Sequence, residues 1–174
     1  MIVAMGIRDT GKKDVLGFVQ AASENHLPIC EMLRDILRRG LKYEKGLLVI
    51  IDGSTGIRKA IEVVFGSMAL VQRCQWHKRE NVLSYLNDEL KQDIKVRING
   101  AYAQNDYARA KQELLEIIED LKPINIHASK SMLEGLEETL TLHKIKMNGR
   151  FGKTFSTTNC IESLKAISKN PFID

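Results

Sequence analysis

Two acidic residues stand where a protein can hold a metal ion. The apolar run Leu47 to Ile51 stops at Asp52, which is followed by the stretch GSTG. A carboxylate at the end of a buried strand is rigidly supported, and hard divalent cations take oxygen ligands of this kind. Glu162 lies in the stretch TTNCIES, where it would enter the first turn of a helix. Each stretch also has a structural explanation, namely a turn opened by Asp52 and a capping box formed by Asn159 and Glu162.

A cysteine and a histidine lie three positions apart in the stretch QRCQWHKREN. This spacing is half of a zinc site, but the other cysteines and histidines of the chain supply no second pair at such a spacing. We therefore predict that Cys74 is buried where a strand passes into a helix, that His77 is hydrogen-bonded, and that the pair binds no structural metal. Trp76 lies between them and is either a packed residue or a surface on which a nucleic-acid base stacks.

Basic side chains accompany both acidic stretches. Arg150 and Lys153 lie in the glycine-bearing segment NGRFGK, which is either a solvated loop or a grip on a phosphate backbone. Arg73, Lys78 and Arg79 flank the cysteine and histidine and are further candidate phosphate contacts. The net charge of +4 and the pI of about 8.9 permit a polyanionic partner without requiring one.

Length and composition limit the class of protein that positions these residues. The chain has 174 residues, of which 44% are hydrophobic and 28% charged, which is typical of a globular domain. No apolar run approaches the roughly 20 residues that cross a bilayer, and the first residues do not resemble a signal peptide. Three widely separated cysteines indicate a reducing compartment rather than a disulfide framework.

Hydrophobic periodicity predicts a mixed sheet followed by helices. The predicted elements are a hairpin of strands 2–7 and 14–20, a helix from about Pro28 to Gly40, a strand 47–51, a helix from Ser54 or Thr55 to Gly66, and a strand 68–73. The strand 47–51 is apolar throughout, which predicts that it is covered on both faces. Residues 75–147 carry no strand pattern: a helical stretch runs from 78 to about 120, Pro123 breaks it, and another helix spans 132–140.

Three stretches in this order resemble the catalytic core of bacterial mutator-type transposases. They are LLVIIDGSTGIRKAIEVVF, QRCQWHKRENVLSYL and GRFGKTFSTTNCIESL. The resemblance implies an α/β, ribonuclease-H-like mixed sheet that lacks its first strand and carries an all-helical insertion. The implied division is a partial core at 1–77, the insertion at 78–147, and a basic loop with the Glu-bearing helix at 148–174.

The resemblance also implies a chemistry for the acidic residues. Asp52 would be the second acid of an Asp-Asp-Glu triad and Glu162 the last, whereas Cys74, His77 and Asn159 match signature positions of the family. The complete enzyme would use two Mg²⁺ or Mn²⁺ ions to cut DNA and transfer strands. Its expected partners are transposon ends and target DNA, with a second copy or a full-length transposase as protein partner and no membrane, in the nucleoid-associated part of the bacterial cytoplasm.

Three departures from the family pattern lead us to expect a fragment truncated at both ends. The upstream strand with the first acid is missing, Lys165 stands where the family usually has Asn, and the region after the Glu-bearing helix is absent. We therefore predict that the chain is inactive alone. The main alternative is a non-catalytic remnant that binds DNA or a full-length transposase. A nucleotide-binding domain ranks lower, because no glycine-rich phosphate loop follows the first strand.

Overall fold

The computed structural model describes residues 1–8, 12–21 and 25–148. They form a mixed α/β structure, and no helix in these ranges combines the length and apolarity needed to cross a membrane. A short 3₁₀ helix, Gly66–Met68, precedes the fourth strand. The other elements are β1 (Ile2–Ile7), β2 (Lys13–Val19), α1 (Leu27–Arg38), β3 (Leu47–Ile51), α2 (Thr55–Phe65), β4 (Ala69–Arg73), α3 (Gln75–Leu83), α4 (Asp88–Ala103), α5 (Tyr107–Ile124), α6 (Ile126–Leu133), α7 (Leu136–Thr139) and α8 (Thr141–Lys144).

The described residues fall into two compact units. The first contains Met1–Val49 and Ser54–Leu70, and the second contains Ile50–Gly53 and residues 71–148. In the first unit β1 pairs antiparallel with β2, so the predicted hairpin is confirmed with its second strand shifted by one residue. The turn residues 9–11 lie outside the described ranges.

Helices α1 and α2 begin and end where the sequence predicts. Pro28 lies in the first turn of α1, where its missing N–H costs nothing, and Gly40 follows the helix with φ of +101°. The Ser54 hydroxyl accepts a hydrogen bond from the Ile57 amide and so caps α2, which ends at Gly66 with φ of +54°. Ile29, Cys30 and Ala60 form the buried centre of this unit.

Strands β3 and β4 form a second two-stranded sheet. The bounds of β3 are those predicted, but its burial is a correction. Only Ile51 is buried, and residues 47–50 are half-buried. The expected cover on both faces is therefore wrong for residues 47–50 in the part of the chain that the structure describes.

Residues 75–144 contain no strand, as predicted, and carry their own core. The predicted helices are subdivided, however: α3 ends at Leu83 before α4 begins, and Gly135, with φ of +67°, divides the predicted helix 132–140 into the end of α6 and α7. The turn at Gln104–Asp106 separates α4 from α5, and the Asp106 carboxylate caps α5 at the Arg109 amide. The prediction that Pro123 breaks the preceding helix is corrected, because Pro123 lies within the last turn of α5, which ends at Ile124. The buried core of these helices includes Ile94, Ile98, Leu114, Ile118, Leu121, Met132 and Leu140.

A buried glutamine joins β4 to the end of the helical stretch. The Gln72 side-chain amide donates to the Thr139 carbonyl at 2.9 Å, and its oxygen accepts from the Leu142 amide at 2.9 Å. Beside it the Thr141 hydroxyl donates to the Val71 carbonyl at 2.6 Å. These bonds satisfy polar groups that would otherwise be buried without partners.

Candidate active site

Asp52 is the first residue after β3, at the point where β4 also ends. The Cys74 amide, one residue past β4, donates to the Ile51 carbonyl at 2.7 Å. This bond fixes the last backbone position before Asp52, whose side chain is exposed. Gly53 follows with φ of +106°, a conformation that favours glycine, so the chain turns sharply directly after the carboxylate.

Arg73 ends β4 beside this turn. Its side chain is buried, and its Nη1 donates to Glu134 Oε1 at 2.6 Å in a charge-assisted bond. A Cβ placed on Gly53 would lie 2.5 Å from Arg73 Nε and 2.6 Å from Nη2, so the guanidinium rests directly against the Gly53 backbone. A β-carbon at position 53 is therefore disfavoured by the backbone conformation, and it would also force the Arg73 guanidinium to move.

Cys74 and His77 contact each other at the start of α3. Cys74 is fully buried at the N-terminal end of the helix, and its sulfur lies 3.1 Å from His77 Nδ1. The predicted burial of Cys74 and hydrogen bonding of His77 are thus confirmed. Trp76 is 38% exposed and stacks edge-on against the His77 ring with centroids 4.8 Å apart, so it is neither fully packed nor free of contacts.

Lys78, one turn into α3, is buried and has three acceptors. Its ammonium donates to the Ser131 carbonyl at 2.7 Å, to Glu134 Oε2 at 2.8 Å, and to the Glu134 carbonyl. Burial lowers the pKa of Lys78 from its usual value, and the bond to Glu134 opposes this shift. The hydrogen bonds from Arg73 and Lys78 lower the pKa of Glu134 to about 2 despite its partial desolvation.

The remaining basic candidate of this region, Arg79, is also occupied. Its Nη2 donates to Glu80 Oε1 at 2.7 Å and its Nη1 to Asn99 Oδ1 at 2.7 Å. Arg73, Lys78 and Arg79 therefore all bind protein acceptors in this arrangement, and their phosphate contacts stay a prediction. The other predicted site residues, Arg150, Lys153, Asn159 and Glu162, lie outside the described residues.

A divalent ion needs several oxygen donors placed around it. No group of three or more His, Cys, Asp or Glu side chains in the described ranges is placed to hold an ion. Asp52 does supply an oxygen donor of the type that Mg²⁺ takes, and Mg²⁺ sites use one or two carboxylates together with substrate phosphates. Asp52 therefore fits such an ion as one of its protein ligands.

Sequence reasoning missed Glu134 and Gly135. Glu134 is the acceptor that Arg73 and Lys78 share, and a Cβ on Gly135 would collide with Arg73 Nη1. The stretch LEGLEE contains a glycine next to an acid, but no spacing relates it to a residue 61 positions earlier. The signal exists only once the helical stretch has folded back to β4.

The known proteins to which this chain is similar are transposases. The transposase for insertion sequence element IS6120 of Mycolicibacterium smegmatis is 31% identical over 63% of this chain and 33% of its own length. Those for IS905 of Lactococcus lactis subsp. lactis and for IS256 in transposon Tn4001 of Staphylococcus aureus are 28% and 24% identical, each over 93% of this chain and 40% of their own length. The chain thus spans well under half the length of these relatives.

The family follows from a second comparison. The family model described as "Transposase, Mutator family" matches residues 1–170. The chain therefore belongs to the Mutator family of transposases, as the three sequence stretches indicate.

Proposed function

We propose that this chain is part of the catalytic core of an Asp-Asp-Glu transposase with a ribonuclease-H-like fold, which cuts DNA and transfers the freed strand. One observation carries the proposal: Asp52 is an exposed carboxylate directly after β3, where the Cys74 amide bonds to the Ile51 carbonyl. Ligands of open α/β sheets gather where strands end, and a carboxylate there has a rigid support. Membership of the Mutator family supports the same activity.

In this proposal each acidic residue has one task. Asp52 and Glu162 hold divalent ions such as Mg²⁺. When bound, such ions supply an activated oxygen nucleophile and stabilise the leaving oxygen of an in-line displacement at phosphorus. Arg150 and Lys153 contact the DNA backbone and orient the scissile phosphate, since phosphate contacts fix the register of the nucleic acid.

The test is metal-dependent nicking of a supercoiled plasmid by two forms of the protein. One is this chain, and the other carries upstream the segment that precedes the matched region in the Lactococcus IS905 transposase. With Mg²⁺ or Mn²⁺ we expect the extended form to nick the plasmid and this chain to do so far more slowly. Asp52→Asn and Glu162→Gln should each abolish nicking. Asp88→Asn is the matched control, because the Asp88 side chain is 96% exposed at the start of α4.

Two outcomes would change the proposal. DNA binding without metal-dependent nicking in either form, unaffected by Asp52→Asn, would favour the non-catalytic remnant. Nicking by this chain at the rate of the extended form, lost on Glu162→Gln, would mean that an acid such as Asp9 or Asp14 takes the first position. The Asp14 carboxylate pairs with Arg8 at 2.6 Å, so it would have to exchange that partner.

A further inference from the structure

We propose that Arg73 is a positioning residue which holds the Asp52–Gly53 turn and is itself held by Glu134 and Gly135. The helical stretch that follows β4 would then set the place of the candidate catalytic carboxylate, although it supplies no acid of the triad. The inference rests on the proposed function for the role of Asp52. It goes beyond that function by assigning a task to Arg73 and to the corner between α6 and α7.

The first step is the contact of Arg73 with the turn. A β-carbon at Gly53 would lie 2.5 Å from Nε and 2.6 Å from Nη2, closer than real β-carbons approach other atoms. Nε is buried and has no hydrogen-bond partner among the described residues. The guanidinium is therefore placed by its packing between backbone segments rather than by satisfying all its donors.

The second step is the contact that fixes Arg73 from the other side. Nη1 donates to the Glu134 carboxylate at 2.6 Å, and a β-carbon at Gly135 would collide with the same nitrogen. Gly135 has φ of +67°, so the chain turns here to begin α7. Gly53 and Gly135 thus leave room for one guanidinium between two backbone turns, and Glu134 fixes its orientation.

The third step is the anchoring of Glu134. Lys78 donates both to the Glu134 carboxylate and to its carbonyl, so the side chain and the backbone of this residue are held from α3. The Glu134 carboxylate stays ionised down to low pH, because hydrogen bonds from Arg73 and Lys78 depress its pKa. A displacement at Gly135 should therefore reach Gly53 through Arg73 rather than being absorbed by a loose side chain.

The experiment observes the turn directly. Asp52–Gly53 is the one Asp-Gly pair in the sequence, so protein labelled with ¹³C-carbonyl aspartate and ¹⁵N-glycine gives a single carbonyl-to-amide NMR signal, from the Asp52–Gly53 peptide. We expect Gly135→Ala to shift or broaden this signal, and Arg73→Lys to do the same. In the Arg73→Lys background Gly135→Ala should add little, because the atom that it strikes is absent.

Gly66→Ala is the matched control. Gly66 also has a positive φ, of +54°, but a β-carbon there meets nothing within 4 Å. With ψ of −134° at Gly66 against +20° at Gly135, this variant imposes at least as much backbone strain, but without a collision, and circular dichroism verifies that every variant is folded. An unmoved signal in Gly135→Ala, or equal shifts in Gly135→Ala and Gly66→Ala, would overturn the inference. Additive shifts in the double variant would also overturn it, since they would mean that Gly135 acts on the turn without Arg73.

A second readout separates this inference from the proposed function. Binding of Mn²⁺ alone, followed by electron paramagnetic resonance, should be lost in Asp52→Asn. It should weaken about 10–100-fold in Gly135→Ala and Arg73→Lys, the usual effect of residues that orient a metal ligand. If Asp52→Asn leaves Mn²⁺ binding unchanged, the proposed function fails, while the NMR signal still decides the role of Arg73. If Asp52→Asn abolishes Mn²⁺ binding but Gly135→Ala and Gly66→Ala bind Mn²⁺ equally well, only the positioning inference fails.

Discussion

Replacing Lys78 with methionine removes a buried ammonium and keeps a long unbranched side chain. Lys78 is 1% exposed, and its ammonium is bonded to the Ser131 and Glu134 carbonyls and to the Glu134 carboxylate. The variant leaves two carbonyls at the end of α6 without this donor. Each such loss costs about 1–3 kcal/mol.

Two effects reduce the total for Lys78→Met. The Glu134 carboxylate is 60% exposed and keeps its bond to Arg73, so losing this ion pair adds little. Methionine also avoids the cost of burying a charge, the cost that lowers the Lys78 pKa. We therefore expect a net loss of about 2–3 kcal/mol in the free energy of unfolding. For a chain of this length that corresponds to a fall in Tm of roughly 4–12 °C.

Urea denaturation followed by circular dichroism measures the difference between the parent and Lys78→Met. Lys91→Met is the control, because Lys91 forms a comparable pair with Asp88 on the exposed side of α4, and its removal should cost less than about 0.5 kcal/mol. A Lys78→Met variant as stable as the parent would refute the reasoning. It would mean that the two carbonyls find other donors, or that a buried apolar side chain serves as well as the ion network.

Three further predictions follow from the site. The folded state favours ionised Glu134, so the parent should be more stable than Glu134→Gln above about pH 4.5, and this advantage should be lost as the pH falls to about 2. Urea titrations across this range measure the difference in the free energy of unfolding, and a difference that does not change with pH would contradict the prediction. Purified protein should contain no stoichiometric zinc, and metal analysis that finds zinc lost on Cys74→Ser would overturn this. Asp52 and Glu162 should have carboxyl groups within roughly 10 Å of each other, given metal ions about 4 Å apart; an experimental structure with the two on opposite faces would end the Asp-Asp-Glu proposal.

Features set by neighbouring residues were predictable from the sequence. The bounds of β3 follow from an apolar run that Asp52 ends, and the start of α2 follows from the capping hydroxyl of Ser54. The end of α5 was not predictable in the same way. Pro123, which has no N–H, is accommodated in the last turn of α5. The next helix begins at once because the Asn125 side chain accepts hydrogen bonds from the His127 and Ala128 amides.

The partners of the basic residues could not be predicted, because they depend on distant parts of the chain. Arg73 and Lys78 stand in a basic stretch beside Cys74 and His77, which suggests a surface for phosphates. Both bond instead to Glu134, more than 50 positions away. No local pattern indicates such a pair, since it arises only where the end of α6 packs against α3. Asp52, in contrast, was identifiable because the apolar run that it ends is adjacent to it in the sequence.

The bonds of Gln72 have a consequence for the order in which this protein folds during synthesis. The amide of Gln72 is bonded to Thr139 and Leu142, so β4 leaves the ribosome 67 to 70 residues before its partners exist. At about 5–20 residues per second this gap lasts roughly 3–14 s. During that time the Gln72 side chain and the Val71 carbonyl lack the partners that they have in the folded protein, and such unsatisfied polar groups can bond to other chains. Slowed translation across residues 73–142 should therefore increase aggregation of the growing chain.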